Sequence, residues 1–296
     1  MEQRTVIGVD LGGTKVVAGL ISDNQLVDTS YKLISANSNN SKDIVDELIA
    51  VIDDLFNDEV VSIGVGIPGL VNRDEGVVND VQNIPSWKEI PLKAILENYF
   101  SIPVFLDNDA NCFALGEAHF GTGRGETDFV GITLGTGMGS GIIKNGFLLP
   151  DAHGGSGEFG NIPYLDATYE DYCSGKFFKS KYGLKGEEVA LLAEQGDEMA
   201  LKAFGEFGKH LGNAIKTIKM AVDPEKVIIG GSVARAANYF EISMWKELLD
   251  FPFPGAMKNF EVVFSSIENI AVMGAASLYL NHNKLLELVK HDFKNN

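Results

Sequence analysis

Residues 5–22 read TVIGVDLGGTKVVAGLIS: an apolar run closing on Asp10, a glycine turn over Gly12 and Gly13, and a second apolar run. Val- and Ile-rich runs joined by glycine read as two strands and a tight turn, and QLVDTSYKLIS, after an Asp-Asn turn, supplies a third strand. The pattern returns at residues 128–149, DFVGITLGTGMGSGIIKNGFLL, with LGTGMGSG where DLGGTK stood. This is a duplication at the level of supersecondary structure. Working outward from the first copy, Ser41 opens an amphipathic helix to about Phe56, VVSIGVGIP is a buried strand, PLKAILENYF a helix with proline in its first turn, and IPVFLDND another strand. Strands and helices alternate, so the fold class is α/β.

The helix ANCFALGEAHFG leads into the second copy. After it come helices near 169–181, 187–195 and 197–221, a buried strand KVIIGG, a helix from about Met244, a strand VVFSS and an apolar closing helix, IAVMGAASLYLNHNKLLELV. Two hairpin-first units predict two lobes facing a central cleft: 1–112, completed by the closing helix at 271–296, and 113–270.

The chain of 296 residues is long enough for two cores. Its formal charge of −17, with acids spread along the chain, argues against a nucleic-acid partner. The opening apolar segment is too short for a signal sequence and no later run is long enough for a bilayer, so no membrane partner and a cytoplasmic location are expected. Cys112 and Cys173 make neither a disulfide scaffold nor a Cys-x-x-Cys metal pattern and read as small buried residues.

Glycine hairpins turn free backbone N–H groups toward an anion, which suits a polyphosphate. A third glycine turn, GGSVA at residues 230–234, follows a buried strand where a nucleotide can approach the backbone. Such turns are common, so weight falls on the acids beside them. Asp10 ends the first strand and DNDAN, residues 107–111, ends another; these are candidates for a magnesium partner or a general base. Asp109 equally suits the N-cap of the next helix. In HGGSGEFGNIPYLDATYEDYCSG, residues 153–175, glycines surround Glu158 and Glu170 stands at a helix start. Such carboxylates accept hydroxyl protons, and the plainer alternative is a solvated acidic loop.

GVDLGGTK, GVGIPGLV, NIPSW, LDNDANCFALGEA, LGTGMGSGI and GEFGN, in this order and spacing, resemble the ROK family of bacterial sugar kinases and repressors, over almost the whole chain. The resemblance implies the two-lobed actin-like ATPase (ribonuclease H-like) fold. It implies ATP-dependent phosphorylation of a hexose at its 6-hydroxyl, glucose first, with N-acetylhexosamine kinase or fructokinase as alternatives. A sugar-sensing regulator is disfavoured, because family repressors carry a helix-turn-helix before the kinase-like body and here the phosphate motif falls within the first dozen residues.

By the same resemblance Asp109 is the base that takes the sugar hydroxyl proton, and Gly69, Asn83, Asn108, Glu158 and Glu170 bind sugar. Gly12, Gly13 and Thr14 match the first phosphate loop, Thr136, Gly137 and Gly139 the second, and Gly231 the adenosine turn. Asp10 is expected near Mg²⁺, through water or the nucleotide, and a homodimer is the expected assembly. Apart from Lys15 the two phosphate loops hold no cation, so backbone donors and the metal are expected to compensate most of the phosphate charge.

One part of the family pattern is missing. Most members bind a structural zinc through a histidine after GE-x-G and a short cysteine-rich loop. Here the histidine position is Asn161, and IPYLDATY, before Glu170, has no cysteine. No structural zinc is therefore expected. Asn161 still offers a donor and an acceptor to a sugar hydroxyl, and Glu170 is expected to be held by packing of Ile162, Tyr164 and Tyr172 and by a helix start near Thr168.

Overall fold

The structure is a computed structural model that describes residues 5–79, 81, 83–152 and 154–284. The chain forms two compact units, one of Met1–Gly125, Gly146–Ser156 and Ile267–Asn296, the other of Glu126–Asn145 and Gly157–Ser266.

In the first unit β1 (Thr5–Leu11), β2 (Lys15–Ser22) and β3 (Gln25–Leu33) form the expected meander, followed by α1 (Ser41–Asp53) and β4 (Val60–Ile67). Three short strands, β5 (Leu70–Asn72), β6 (Val77–Asn79) and β7 (Glu89–Ile90), make a side sheet before α2 (Leu92–Phe100), β8 (Val104–Asn108) and α3 (Asp109–Phe120). The main sheet runs β3-β2-β1-β4-β8, with β1, β4 and β8 parallel. Register sets Asp10 beside Gly66 and Gly66 beside Asp107, so the three parallel strands end at one level. Ligands of open α/β sheets gather at such carboxyl ends.

The second unit repeats the hairpin with β9 (Phe129–Leu134) and β10 (Met138–Lys144). After an Asn145-Gly146 turn with both residues at positive φ, β11 (Phe147–Leu148) returns the chain to the first unit. A small hairpin of β12 (Pro163–Tyr164) and β13 (Ala167–Thr168) precedes α4 (Tyr169–Tyr172), α5 (Gly175–Tyr182), α6 (Gly186–Glu194) and the long α7 (Glu198–Val222). β14 (Lys226–Gly230), α8 (Ala237–Leu248) and β15 (Glu261–Phe264) complete it, with β14 parallel to both β9 and β15.

The chain then rejoins the first unit through α9 (Ile270–Ala276), which lies on β1, β4 and α3 at backbone distance. A Cβ added at Gly8 would sit 2.0 Å from the Val272 carbonyl oxygen, and one at Gly64 1.8 Å from that of Ala275. Only glycine admits this approach.

Three boundaries differ from the sequence reading. The helix expected over 169–181 is two helices, because buried Ser174 takes an extended conformation and caps α5 through the Lys176 N–H. The helix expected from Met244 begins at Ala237, where Phe240, Met244 and Leu248, spaced by four, form its buried face. α3 is buried along most of its length and stays whole in the first unit, past the boundary expected at 112. Of the closing helix expected over 271–296, residues 285–296 lie outside the described residues.

Candidate active site

In the first unit the chemistry collects at the ends of β1 and β8. Burial lifts the Asp10 carboxyl to about 6, against the opposing charge of Lys15. The Gly12 N–H donates to the Lys15 carbonyl at 2.9 Å and closes the hairpin that carries Gly13 and Thr14. Asn83 lies against this hairpin: a Cβ on Gly13 would sit 3.1 Å from the Asn83 Cβ.

At the end of β8, Asn108 takes the capping role that the sequence left open for Asp109. Its Oδ1 accepts from the Ala110 and Asn111 N–H groups at 2.8 and 3.4 Å, and its Nδ2 donates to the Gly69 carbonyl at 3.2 Å. Gly69, at φ +148°, is thereby fastened to the start of α3. Asp109 is the first residue of the helix, half-buried, with Oδ1 accepting the Ala110 N–H at 2.8 Å.

A polar network that the sequence reading missed supports these ends. Asp107 is 3% exposed and accepts two bonds from Arg73, at 2.8 Å from Nε and 3.0 Å from Nη2. It also accepts from Asn111 Nδ2 and the Asn108 N–H, both at 2.8 Å. The Arg73 Nη1 group donates to Asp151 at 2.8 Å, and Asp151 accepts from the N–H groups of Gly154 and Ser156 and from the Ser156 hydroxyl. A half-buried guanidinium between two carboxylates is well matched in geometry and fixes the loop after β11 against β8.

In the second unit Glu158 and Glu170 come near enough to interact. Partial burial raises the Glu158 pKa, the hydrogen bond from Asn161 Nδ2 at 2.7 Å opposes that, and the Glu170 charge adds to it. Asn161 therefore orients Glu158. Glu170 turns toward the β9–β10 hairpin: its Oε2 accepts the Met138 N–H at 3.1 Å and its Oε1 pairs with Lys176 Nζ at 2.5 Å. Thr136, Gly137 and Gly139 lie on this hairpin. Gly231, at φ +92°, follows β14 so closely that a Cβ would meet the Leu134 carbonyl oxygen at 2.3 Å.

The chain matches the ROK family over residues 6–282. It belongs to the ROK family. It is 30% identical to the glucokinase of Thermotoga maritima over 310 residues, covering 94% of this chain and 98% of that one. It is 31% identical to the N-acetyl-D-glucosamine kinase of Salmonella paratyphi B over 255 residues, covering 77% and 84%. The solved ROK family glucokinase from Streptomyces griseus, in complex with glucose and AMPPNP, superposes with a TM-score of 0.80 at 27% identity over 93% of this chain and 98% of that one. The α/β units are those of the actin-like ATPase fold.

In this ROK protein the segment leading to Glu170 is held by aromatic packing. Tyr164 stacks on Tyr169 at 4.4 Å and meets Tyr172 edge-on at 5.5 Å, the second contact being the one expected from the sequence. His210 of α7 joins them, its Nδ1 3.2 Å from the Tyr164 hydroxyl and its ring 4.7 Å from Tyr172. Thr168 and Asp171 form a capping box at the start of α4, as expected for a helix start there. Ile162 contributes its carbonyl, which accepts the Tyr169 N–H at 3.1 Å. Cys173 and Cys112 are buried and their thiols are pushed up by that burial, which makes them poor nucleophiles.

Among the described residues no group of three His, Cys, Asp or Glu side chains is disposed to hold a metal. Magnesium that arrives with a nucleotide needs less, one or two carboxylates beside the phosphates. Asp10, a carboxylate at the end of β1 beside the Gly12–Gly13 turn, would suit that role.

With the folded pKa of Asp10 near 6, above the ordinary 3.8, the native state holds a proton that the unfolded state releases first. Asp10 thus contributes stability that is fully present below about pH 4 and is lost as pH rises through 6, roughly 3 kcal/mol at most. Asp10→Asn should unfold at higher urea than the wild type at pH 8, and at pH 4.5 the gap should narrow to about a third of that. A variant no more stable at pH 8 contradicts the assignment.

Proposed function

We propose that this ROK sugar kinase transfers the γ-phosphoryl group of ATP to the 6-hydroxyl of a hexose, with glucose the preferred acceptor. The observation that carries the reading is Asp109: a carboxylate at the first position of α3, where β8 ends level with β1 and its Asp10. Phosphoryl transfer asks mainly for alignment and charge neutralisation, and a base beside the attacking hydroxyl completes it. Asp109 takes the hydroxyl proton, Gly69 and Asn108 shape the backbone beside it, and Glu158 and Glu170 accept sugar hydroxyls. Backbone N–H groups of the two glycine hairpins face the phosphates, Gly231 the adenosine, and Asp10 would hold magnesium, which neutralises phosphate charge. The similarity to glucokinases favours glucose.

An N-acetylhexosamine as acceptor is the second reading, favoured by the similarity to the Salmonella enzyme. A homodimer in the cytoplasm is the proposed setting; among the described residues no helix is long and apolar enough to cross a membrane.

A coupled assay with glucose, mannose, fructose, N-acetylglucosamine and N-acetylmannosamine, each with ATP and with polyphosphate, tests the reading. Glucose with ATP should give the highest kcat/KM. A higher value for N-acetylglucosamine moves the assignment to the second reading, and turnover with none of the sugars overturns both.

Glu158→Gln should weaken glucose binding about tenfold to a hundredfold, because a hydrogen bond to a charged acceptor contributes roughly 1.5–3 kcal/mol. Nucleotide affinity should stay within about twofold, since the lost contact is to sugar alone. Calorimetric titration with each ligand reads this, and unchanged glucose affinity removes Glu158 from the sugar site.

A further inference from the structure

The second phosphate hairpin has no cation of its own: LGTGMGSG, residues 134–141, contains neither lysine nor arginine. In a chain of net charge −17, a polyphosphate at this hairpin would meet backbone N–H groups and the magnesium it brings, with no side-chain cation from the hairpin itself. The fold brings one from elsewhere in the sequence. The corner between α4 and α5 is laid directly on the hairpin: Ser174 Oγ donates to the Thr136 carbonyl at 3.1 Å, and the Gly175 N–H to the Gly135 carbonyl at 2.8 Å. Glu170 completes the junction through the Met138 N–H, and Gly137 leaves room for it, since a Cβ there would lie 2.4 Å from Glu170 Oε2. The other carboxylate oxygen of Glu170 holds the ammonium of Lys176 at 2.5 Å, on the first turn of α5.

Lys176 therefore follows directly on two residues bonded to the hairpin, its own N–H donating to Ser174 Oγ, and its head is held by a carboxylate that touches the hairpin. Its side chain is 44% exposed, so the pair is screened and easily exchanged. A lysine is a point charge on a flexible stem and can turn from one anion to a neighbouring one without moving the backbone. A nucleotide's β- and γ-phosphates carry more negative charge than the single carboxylate they would replace.

We propose that Lys176 is the cation of the second phosphate hairpin, pairing with phosphoryl oxygens of the bound nucleotide at residues 135–138, and that Glu170 poises it there. A sugar hydroxyl donating to Glu170 competes with the ammonium for the same carboxylate. Sugar binding thus loosens the pair and makes Lys176 available to phosphate, which links the two substrates through one side chain. The inference rests on the kinase reading for the assignment of the hairpin to phosphate.

Calorimetry with AMPPNP and with AMP, each with magnesium, on the wild type, Lys176→Met and Lys176→Arg tests it. Lys176→Met should bind AMPPNP about tenfold more weakly or worse while AMP affinity stays within about twofold, because AMP lacks the β- and γ-phosphates. Lys176→Arg should recover most of the loss. Saturating glucose should strengthen AMPPNP binding in the wild type and do so less in Lys176→Met. Equal AMPPNP affinity in wild type and Lys176→Met, or an equal loss for AMP and AMPPNP, overturns the proposal. So does a loss confined to glucose affinity, which would make Lys176 a sugar residue, and so does a wild type that binds no AMPPNP. A wild type that binds AMPPNP through Lys176 but phosphorylates no sugar sinks the kinase reading and leaves the Lys176 assignment standing.

Discussion

Asp109→Asn is expected to lower kcat by roughly a hundredfold or more while glucose affinity stays within about threefold. The amide reproduces the shape and can still accept the Ala110 N–H through its oxygen, so α3 keeps its first turn. The cap itself does not depend on this residue, because Asn108 supplies it. What the amide loses is the capacity to take a proton from the attacking hydroxyl. Steady-state kinetics with calorimetric glucose titration separates the two effects. A kcat within threefold of wild type removes Asp109 from the base role, and a parallel collapse of glucose affinity assigns it to binding instead.

The largest effect on stability is expected at the crossing of α3 and α9. A Cβ at Gly274 would lie 1.7 Å from the Cys112 carbonyl oxygen, and one at Gly116 would lie 2.2 Å from that of Ile270. The obstacles are backbone atoms, which cannot rotate away as a side chain can. Gly274→Ala should therefore cost about 3 kcal/mol or more, at the upper end of overpacking penalties. Gly205→Ala, in α7 where no atom stands within 4 Å of the added Cβ, should be neutral or stabilising by up to ~1 kcal/mol through helix propensity. Urea unfolding of the two variants reads the contrast. If both shift the midpoint equally, the close crossing does not hold the first unit together. Because α3 begins with Asp109, Gly274→Ala should also depress activity in the fraction that folds.

Much of this architecture could be read from the chain because its signals are local. Residues 5–22 and 128–149 declare their hairpins through glycine between β-branched runs, and both hairpins form as expected. The approach of Tyr164 to Tyr172 and the helix start at Thr168 form as expected for a loop that must hold Glu170 without zinc.

What was not legible depends on partners distant in sequence. Arg73 and Asp107 are 34 residues apart, and Arg73 and Asp151 are 78 apart; alone, Arg73 and Asp151 read as surface charges, and Asp107 as one of the acids at a strand end. The same holds for Lys176, which looks like a solvated lysine on an exposed helix until Glu170 is seen to face the β9–β10 hairpin. Assigning Glu170 to sugar by resemblance gave no hint of that second contact. The break at Ser174 was missed because YEDYCSGKFF carries no proline, and the interruption arises from the hydroxyl's bonds to Thr136 and to the start of α5.

Transfer of the γ-phosphoryl group to a sugar hydroxyl is the central claim, and ³¹P NMR of glucose, ATP and magnesium with the wild-type protein tests it most directly. The spectrum should gain a phosphomonoester resonance split by the two protons of carbon 6, growing in step with ADP. Growth of ADP with inorganic phosphate alone, or a phosphomonoester coupled to a single proton at carbon 1, would contradict it.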